Sequence, residues 1–256
     1  MIAEWFAERR RNRIREEPFP AEWIEILERN VAVYSRLTED ERTRLREDAH
    51  VLIEEKYWEG CGGLELTDEI KVTIAAQAAL LILNRQHEFY ENVESILVYP
   101  HHFHSRDKQR DGSGVVQNAI TGRLGEAWSQ GPVVLSWFDS IKGGSNPDDG
   151  RNVVYHEFAH KLDLEDGDAN GVPPLDDDAQ VNEWADVMQV EYEHHVAMTE
   201  KRHATLIDAY GATNAAEFFA VTTECFFEKP VQLQHQHPRL YHVLRGYYRQ
   251  DPAARV

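Results

Sequence analysis

The sequence HEFAHKLD, at residues 156–163, contains the pattern that decides the fold. It lies in a predicted helix that runs from about residue 149 to residue 164. Residues four apart on a helix lie one turn apart on the same face, so the imidazoles of His156 and His160 can reach one metal ion. Glu157 follows the first histidine and is placed beside the open position of such an ion. The pattern therefore predicts a metal site on a helix.

The chemistry typical of this pattern is zinc-assisted hydrolysis. Zinc lowers the pKa of a bound water toward ~7. Glu157 can take that proton as a general base and pass it to a leaving amine. The five-residue pattern is expected by chance in roughly one chain in twenty of this composition, so its setting matters. Apolar residues 153–155 precede it, and Phe158 and Leu162 give the helix a face to bury, which favours a zinc site over a pair of surface histidines.

A third zinc ligand is expected elsewhere in the chain, because a catalytic zinc ion usually has three protein ligands and a water. The best candidate is Glu217, within the sequence NAAEFFA at 214–220. Phe218 and Phe219 indicate that this segment is buried, and an unpaired buried carboxylate is costly. Asn214 with Glu217 also matches a capping box, so a helix-capping role for Glu217 stays open.

Three further side chains are candidates for supporting roles. Glu224 follows Glu217 by two helical turns, and Asp163 follows His160 by three residues. Either could accept the second N–H of a ligand histidine, as carboxylates commonly do in zinc sites. A surface position is the alternative for both. Tyr210 could donate to the oxyanion of a tetrahedral intermediate, although the residues alone favour a packed loop tyrosine.

Composition limits the classes of function. The chain has 256 residues, of which 45 are acidic and 27 are basic, giving a net charge of −18. Such a surface repels phosphate backbones, so direct nucleic-acid binding is not expected. The basic cluster at 9–15 is interpreted as the solvated face of a helix. No apolar run approaches the ~20 residues that cross a membrane, the N-terminus lacks the order of a secretory signal, and we expect no membrane partner and a cytoplasmic location.

Cysteine usage agrees with a reducing compartment. The chain has two cysteines, Cys61 and Cys225, which are too few for a disulfide scaffold. Because no CxxC pair exists, a zinc knuckle built on paired cysteines is excluded. Cys225 is interpreted as a small buried apolar residue.

The predicted fold class is α+β, helix-rich, with a small mixed sheet and an HExxH active-site helix. The chain is predicted to form one domain over residues 1–256, with a helical N-terminal part to about residue 90. Other helices are predicted at 4–16, 21–29, Thr38 to about Trp58, 68–83, 177–200, 214–228 and 238–249. Strands are predicted at 95–99, 114–117 and 132–137, and polar loops at 108–114 and 142–150.

Other histidines offer a rival metal site. His101, His102 and His104 lie close in sequence, as do His235 and His237. These residues fall in apparent loops near prolines, and scattered polar loop residues are the favoured interpretation. The neighbouring His194 and His195 cannot both face one metal ion from a helix, because adjacent helical residues point in different directions.

The chain resembles the Mlc titration factor A family of zinc metallopeptidases over nearly its whole length. The matching segments are PFP at 18–20 with Trp23, GLE at 63–65 with TDE at 67–69, IAAQA at 74–78, GEAW at 125–128, GPVVLSW at 131–137, HEFAHKLD at 156–163, ANG at 169–171, PPL at 173–175, EFFAV at 217–221, TE at 223–224, FFE at 226–228 and HP at 237–238. So many matches in order make the resemblance specific.

The resemblance implies a zincin-like fold related to the catalytic domain of anthrax lethal factor. It places His156, His160 and Glu217 on one Zn²⁺ ion per chain, with Glu157 as the base. The lethal-factor pattern has a tyrosine seven residues before the ligand glutamate, which Tyr210 matches, so the resemblance favours Tyr210 as a transition-state donor. It also favours a supporting role for Asp163, where that pattern has an acid.

The resemblance also implies function. Family members are similar to cytosolic aminopeptidases that act on small peptides, and they bind the glucose repressor Mlc, which alters expression of the glucose phosphotransferase system. A peptide substrate and a repressor resembling Mlc are therefore the expected partners. The rival hypothesis is a non-catalytic protein that sequesters a transcription factor and uses zinc only structurally. Free and N-blocked peptide substrates would distinguish aminopeptidase from endopeptidase action.

Overall fold

The computed structural model of the chain describes residues 2–85, 89–101 and 131–256. Three segments discussed above lie outside these ranges: the predicted strand at 114–117, the predicted loop at 108–114 and the GEAW match at 125–128. His102 and His104 also lie outside them.

Helices dominate the part of the chain that the structure describes. The helices are α1 (Ile2–Glu16), α2 (Ala21–Asn30), α3 (Glu39–Glu55), α4 (Asp68–Ile82), α5 (Trp137–Ser145), α6 (Val153–Asp163), α7 (Asp178–Glu200), α8 (Ala215–Glu228), α9 (Pro230–Gln236) and α10 (Pro238–Tyr248). Single 3₁₀ turns lie at Ala32–Arg36, Leu164–Asp166, Ala209–Ala212 and Pro252–Arg255. The α+β class is confirmed.

Three short strands form the sheet within the described ranges. They are β1 (Tyr57–Gly60), β2 (Ser95–Tyr99) and β3 (Val133–Ser136), in the order β1-β2-β3. Both pairs are parallel, with Trp58 opposite Ile96 and Ile96 opposite Val133. The prediction of a mixed sheet is therefore wrong for the strands described here.

The third helix ends earlier than predicted. Its start is as expected, because Thr38 and Glu41 form both bonds of a capping box. The helix stops at Glu55, where Lys56 adopts an extended backbone. Tyr57 and Trp58, predicted to be helical, instead begin β1, because pairing with β2 satisfies their backbone and Trp58 is buried against the core.

The segment predicted as a polar loop at 142–150 contains the end of α5. The two glycines of α5, Gly143 and Gly144, permit close packing of this helix. A Cβ atom on Gly144 would lie 2.5 Å from the Asn30 carbonyl oxygen and 2.9 Å from Gln77 Nε2, and one on Gly143 would lie 3.0 Å from Asn152 Cγ. The glycines are therefore contact residues of a helix, and the local composition that indicated a loop has a tertiary cause.

Helix α4 is the centre of the core. Its residues 72–82 are all buried, and it packs against α2, α3, α5 and α6. The alanines at 75, 76, 78 and 79 allow these neighbours to approach closely. Because α6 packs against both α4 and α8, the core fixes the helix that contains the HExxH pattern.

The buried apolar residues form one cluster that extends from α1 to α10. The assignment of the chain to a single domain stays a prediction. Within the described ranges, no helix combines the length and the apolar character that crossing a membrane requires.

Candidate active site

Helix α6 places the two histidines of the pattern side by side. Asn152 caps this helix, its Oδ1 accepting the backbone N–H groups of Val154 and Tyr155, both at 3.1 Å. This cap explains why α6 begins at Val153 and not near residue 149. One turn apart on the helix, His156 Nε2 and His160 Nε2 lie 3.2 Å from each other.

Helix α8 brings Glu217 to the same point. Asn214 caps α8 by accepting the backbone N–H of Glu217 at 2.9 Å. The Glu217 carboxylate points away from this cap, with Oε2 3.1 Å from His156 Nε2 and 3.3 Å from His160 Nε2. Glu217 therefore takes part in the helix cap only through its backbone, and its side chain is left for the histidines.

The three side chains suit a zinc ion. Their donor atoms are separated by 3.1, 3.2 and 3.3 Å. A tetrahedral zinc with bonds of about 2.0–2.1 Å would separate its ligand atoms by about 3.3–3.4 Å. The Glu217 Oε2 atom is buried and has no hydrogen bond of good geometry, although both imidazoles lie close to it. A cation among the three atoms would satisfy all of them.

The charges of these groups are strongly coupled. Burial acts to lower the pKa of His156, but the adjacent carboxylates of Glu217 and Glu224 outweigh burial and raise it. Burial acts to raise the pKa of Glu217, yet the adjacent imidazoles of His156 and His160 outweigh it and hold this pKa well below its ordinary value. Glu217 is therefore an anion at neutral pH, and a metal ion bound beside it would take the place of the proton that the two carboxylates favour on His156.

Glu224 lies behind His156. Its Oε1 is 2.8 Å from His156 Nδ1, and its Oε2 accepts the backbone N–H of Asn152. A carboxylate at Nδ1 fixes the imidazole tautomer that leaves the Nε2 lone pair facing the metal position. Burial raises the pKa of Glu224, while the hydrogen bond from His156 opposes this shift.

Asp163, the other candidate for this supporting role, forms its hydrogen bond with a different part of the chain. Its Oδ2 accepts the backbone N–H of Gly171 at 2.9 Å, and its buried Oδ1 has no hydrogen-bond partner. Among the described residues, it makes no hydrogen bond to a histidine. Burial raises the pKa of Asp163 to about 6. The side chain anchors the turn around Gly171, which packs on the first residue of α8, Ala215.

Substitution of Gly171 tests this packing. Gly171 has a φ of +79°, and a Cβ atom there would lie 2.5 Å from the Ala215 carbonyl oxygen. We expect Gly171→Ala to lower the free energy of unfolding, measured with urea, by more than the roughly 1–2 kcal/mol that left-handed backbone costs. Gly167→Ala is the matched control, because Gly167 has a φ of +100° and an added Cβ would meet nothing within 4 Å. Equal losses for the two variants would contradict the packing argument.

Tyr210 lies in the 3₁₀ turn Ala209–Ala212, which we call the tyrosine turn. Its hydroxyl donates to Glu217 Oε1 at 3.2 Å. Asp208 caps this turn, because its Oδ1 accepts the backbone N–H of Tyr210. Its Oδ2 forms an ion pair with Arg151 at 2.8 Å. The hydroxyl therefore reaches the group formed by His156, His160 and Glu217.

Glu157 is half-buried on α6, next to His156 in the chain. Within the described ranges it makes no hydrogen bond and no ion pair at its carboxylate, in contrast to Glu217 and Glu224. Adjacent helical residues point about 100° apart, so Glu157 lies beside the three converging side chains and does not join them.

The other histidines do not form such a group in the described part of the chain. Among the described histidine, cysteine, aspartate and glutamate residues, one group of three has its possible ligand atoms within 4.8 Å of one another. That group is His156, His160 and Glu217. His237 Nδ1 pairs with Glu191, His195 Nε2 meets the Asp208 carbonyl, and the ring of His101 lies against Phe138. His235 is exposed.

The sequence does not identify two residues near the site as functional candidates. Asn152 caps α6 and donates to Glu224, and Gln77 Oε1 accepts a hydrogen bond from Asn152 Nδ2 at 2.9 Å. A signal for Gln77 existed, since it interrupts the apolar run of residues 74–83. Nothing local to residue 152 indicates that it contacts α8.

Comparison with known proteins places this arrangement in a family. A family model described as glucose-regulated metallo-peptidase M90 matches residues 5–249. The Synechocystis sp. protein slr2042 is 39% identical over 244 residues, covering 95% of this chain and 89% of the relative. Proteins named Mlc titration factor A, from Yersinia enterocolitica and Yersinia pestis, are each 34% identical over 245 residues. These alignments cover 92% of this chain and 88% and 87% of the two relatives.

The resemblance drawn from short motifs is thus confirmed over almost the full length of the chain. A metallopeptidase family implies a bound metal ion, and the convergence of two histidines and a glutamate on α6 and α8 gives that ion a fitting donor set. The chain belongs to the M90 family of metallopeptidases.

Proposed function

We propose that this chain is a zinc-dependent peptidase, an aminopeptidase of the cytoplasm with a zincin-like fold. His156, His160 and Glu217 bind one zinc ion. Glu157 is the general base, and Tyr210 stabilises the oxyanion of the intermediate. The observation that carries the proposal is the meeting of three ligand atoms from α6 and α8 within 4.8 Å. Membership of a metallopeptidase family supports the same assignment.

The reaction is hydrolysis of an amide bond by water. Zinc, when bound, polarises the scissile carbonyl and lowers the pKa of the attacking water. Glu157 accepts the proton of that water as the new C–O bond forms, and it donates a proton to the leaving amine as the C–N bond breaks. Its carboxylate makes no hydrogen bond and no ion pair with the described residues, so it is available for both transfers. The products are a carboxylate and an amine.

Two residues position and stabilise the reacting groups. The Tyr210 hydroxyl, at 3.2 Å from Glu217 Oε1, is close enough to the metal position to donate to the oxyanion of the tetrahedral intermediate. Glu224 orients His156 from behind, at 2.8 Å from Nδ1. Asp163 acts indirectly, because it anchors the turn at Gly171 that packs against α8.

The substrate backbone is expected to pair along β3. This strand lies at one end of the described sheet and packs beside α6. Extended peptides commonly add to an exposed strand edge, with backbone hydrogen bonds supplying affinity. A structure of the protein with a bound peptide is the direct test, and a peptide that lies away from Val133–Ser136 would contradict this binding mode.

The deciding experiment is hydrolysis of a panel of chromogenic peptides, each with a free and a blocked N-terminus, with and without a chelator. An aminopeptidase cleaves only the free peptides, and chelation abolishes cleavage. Cleavage of the blocked peptides would identify an endopeptidase. Cleavage that survives complete removal of metal would contradict the zinc mechanism.

Removal of the Tyr210 hydroxyl tests its assigned role. We expect Tyr210→Phe to lower kcat about 10²-fold, the lower part of the range for loss of one oxyanion donor, because a bound zinc ion would also stabilise that oxygen. Zinc should remain bound. Tyr192→Phe is the matched control, since the Tyr192 hydroxyl contacts the same turn through the Ala212 carbonyl at 3.5 Å. If kcat is similar for both variants, Tyr210 does not stabilise the oxyanion and only packs in its turn.

A second candidate function is binding of a repressor that resembles Mlc, with zinc structural only. The relatives named Mlc titration factor A support it. Partner binding of this kind would survive both Glu157→Gln and chelation, whereas hydrolysis would not. Titration of purified Mlc with the wild-type and Glu157→Gln proteins, followed by light scattering, separates the two functions, and both can coexist.

A further inference from the structure

A buried chain of amide groups leads from the middle of α4 to the candidate metal ligands. Gln77 is fully buried, and its Nε2 donates to the carbonyl oxygens of Thr73 at 2.9 Å and Ser140 at 3.1 Å. Its Oε1 accepts from Asn152 Nδ2 at 2.9 Å. Both polar atoms of the Gln77 amide are therefore hydrogen-bonded, although the surrounding helix face is apolar. This fixes the orientation of the amide, because the flipped form would place its oxygen against two carbonyl oxygens.

Asn152 is fixed in the same way. Its Oδ1 accepts two backbone N–H groups at the start of α6, so its Nδ2 must face Gln77 Oε1. Only 1% of Asn152 is exposed, and the backbone of Gly143 leaves no room beside its side chain. Neither amide can therefore rotate without breaking hydrogen bonds in a region that is buried from solvent.

The Asn152 backbone completes the connection. Its N–H donates to Glu224 Oε2, and Glu224 Oε1 meets His156 Nδ1 at 2.8 Å. The preceding residue makes a parallel contact, since the Arg151 N–H donates to Glu228 Oε2 at 2.8 Å. Two successive N–H groups at the start of α6 thus hold two carboxylates of α8, the helix that supplies Glu217.

We propose that Gln77 and Asn152 are positioning residues for the metal centre. Gln77 orients Asn152, and Asn152 sets the place of Glu224, which in turn orients the His156 imidazole. This inference rests on the proposed function, since it takes the group around His156 as the zinc site. Neither residue touches the metal position, and their effect reaches it through Glu224.

The test compares zinc affinity with stability. The dissociation constant for Zn²⁺ is measured by competition with a chromogenic chelator, and the stability of the metal-free protein is measured in urea. Gln77→Met keeps the size of the side chain and removes all three hydrogen bonds. Asn152→Ser keeps a capping oxygen for α6 and removes the link to Gln77. We expect each variant to raise the zinc dissociation constant about tenfold, the lower end of the range for loss of an outer-sphere partner.

Thr73→Val is the matched control. Thr73 lies one turn before Gln77 on α4, is equally buried, and its Oγ1 accepts a hydrogen bond from Asn30 at 3.0 Å. The substitution removes a buried hydrogen bond and leaves the Thr73 carbonyl in place. Its stability should also fall, because a buried hydrogen bond is lost. Its zinc dissociation constant should stay within about twofold of wild type, since outer-sphere effects act through contact with a ligand.

A second readout reports the geometry of the site. With Co²⁺ as the metal, Gln77→Met should shift the visible absorption bands, and Thr73→Val should retain the wild-type spectrum. Wild-type affinity and spectrum in both Gln77→Met and Asn152→Ser would overturn the inference, as would an equal loss of affinity in Thr73→Val. Absence of zinc binding by the wild-type protein would instead overturn the proposed function, and with it the inference.

Discussion

Glu157→Gln is expected to lower kcat for peptide hydrolysis by about 10²–10⁴-fold, the usual cost of removing a general base. The amide has nearly the shape of the carboxylate but cannot accept the proton of the attacking water. Glu157 makes no hydrogen bond or ion pair with the described residues, so the substitution leaves no buried partner unpaired. The fold and the zinc content should therefore be unchanged, which is checked by thermal unfolding and metal analysis.

Glu28→Gln is the control for this chemical change. Glu28 is exposed on α2, a helix that supplies none of the candidate ligands. This variant should hydrolyse peptides at the wild-type rate. If Glu157→Gln does so too, with zinc bound, the base lies elsewhere and the proposed mechanism is wrong. If Glu157→Gln loses its zinc, Glu157 contributes to metal binding and its loss of activity cannot be assigned to proton transfer.

Local chemistry accounts for the parts of the fold that the sequence predicted well. The capping box of Thr38 and Glu41 starts α3, Asp177 caps α7, and Asn214 caps α8. A cap depends on a side chain and a backbone N–H two or three residues away, so it can be recognised without any tertiary contact. The predicted strands at 95–99 and 132–137 were likewise located through their apolar β-branched residues.

The errors arose where distant contacts decide the local structure. The glycines of α5 predict a loop, although they let the helix approach Asn30, Gln77 and Asn152. The amphipathic pattern predicts a helix as far as Trp58, although Trp58 pairs with Ile96 in β1. None of these four partners lies within one helical turn in the sequence, so no local pattern contains the information.

The candidate site divides in the same way. Four-residue spacing predicts that His156 and His160 lie together, because this follows from helix geometry alone. The meeting of Glu217 with them depends on α8 packing against α6, which chemistry suggested through the need for a third ligand and the resemblance made specific. The contact of Asn152 with Glu224 had no such guide, since it passes through a backbone N–H that any residue but proline carries.

Glu217→Ala is expected to raise the zinc dissociation constant by more than the ~100-fold upper cost of losing an outer-sphere partner, because it removes a direct ligand and the one anion among the three. Hydrolysis should fall to the level of the chelated wild-type protein. Zinc content after dialysis against a weak chelator, measured by mass spectrometry, gives the metal result. The substitution leaves the Glu217 backbone N–H in place, so the cap of α8 by Asn214 persists.

Asn214→Ala separates the two roles that the sequence left open for this segment. It removes the cap, which accepts the Glu217 N–H at 2.9 Å, and retains the carboxylate. Loss of an N-cap typically costs ~1 kcal/mol of stability. We expect Asn214→Ala to lose this stability and to retain its zinc. Glu217→Ala should retain its stability and lose its zinc. Full zinc content in Glu217→Ala would assign the carboxylate no part in metal binding, because the two histidines alone would then suffice to hold the ion.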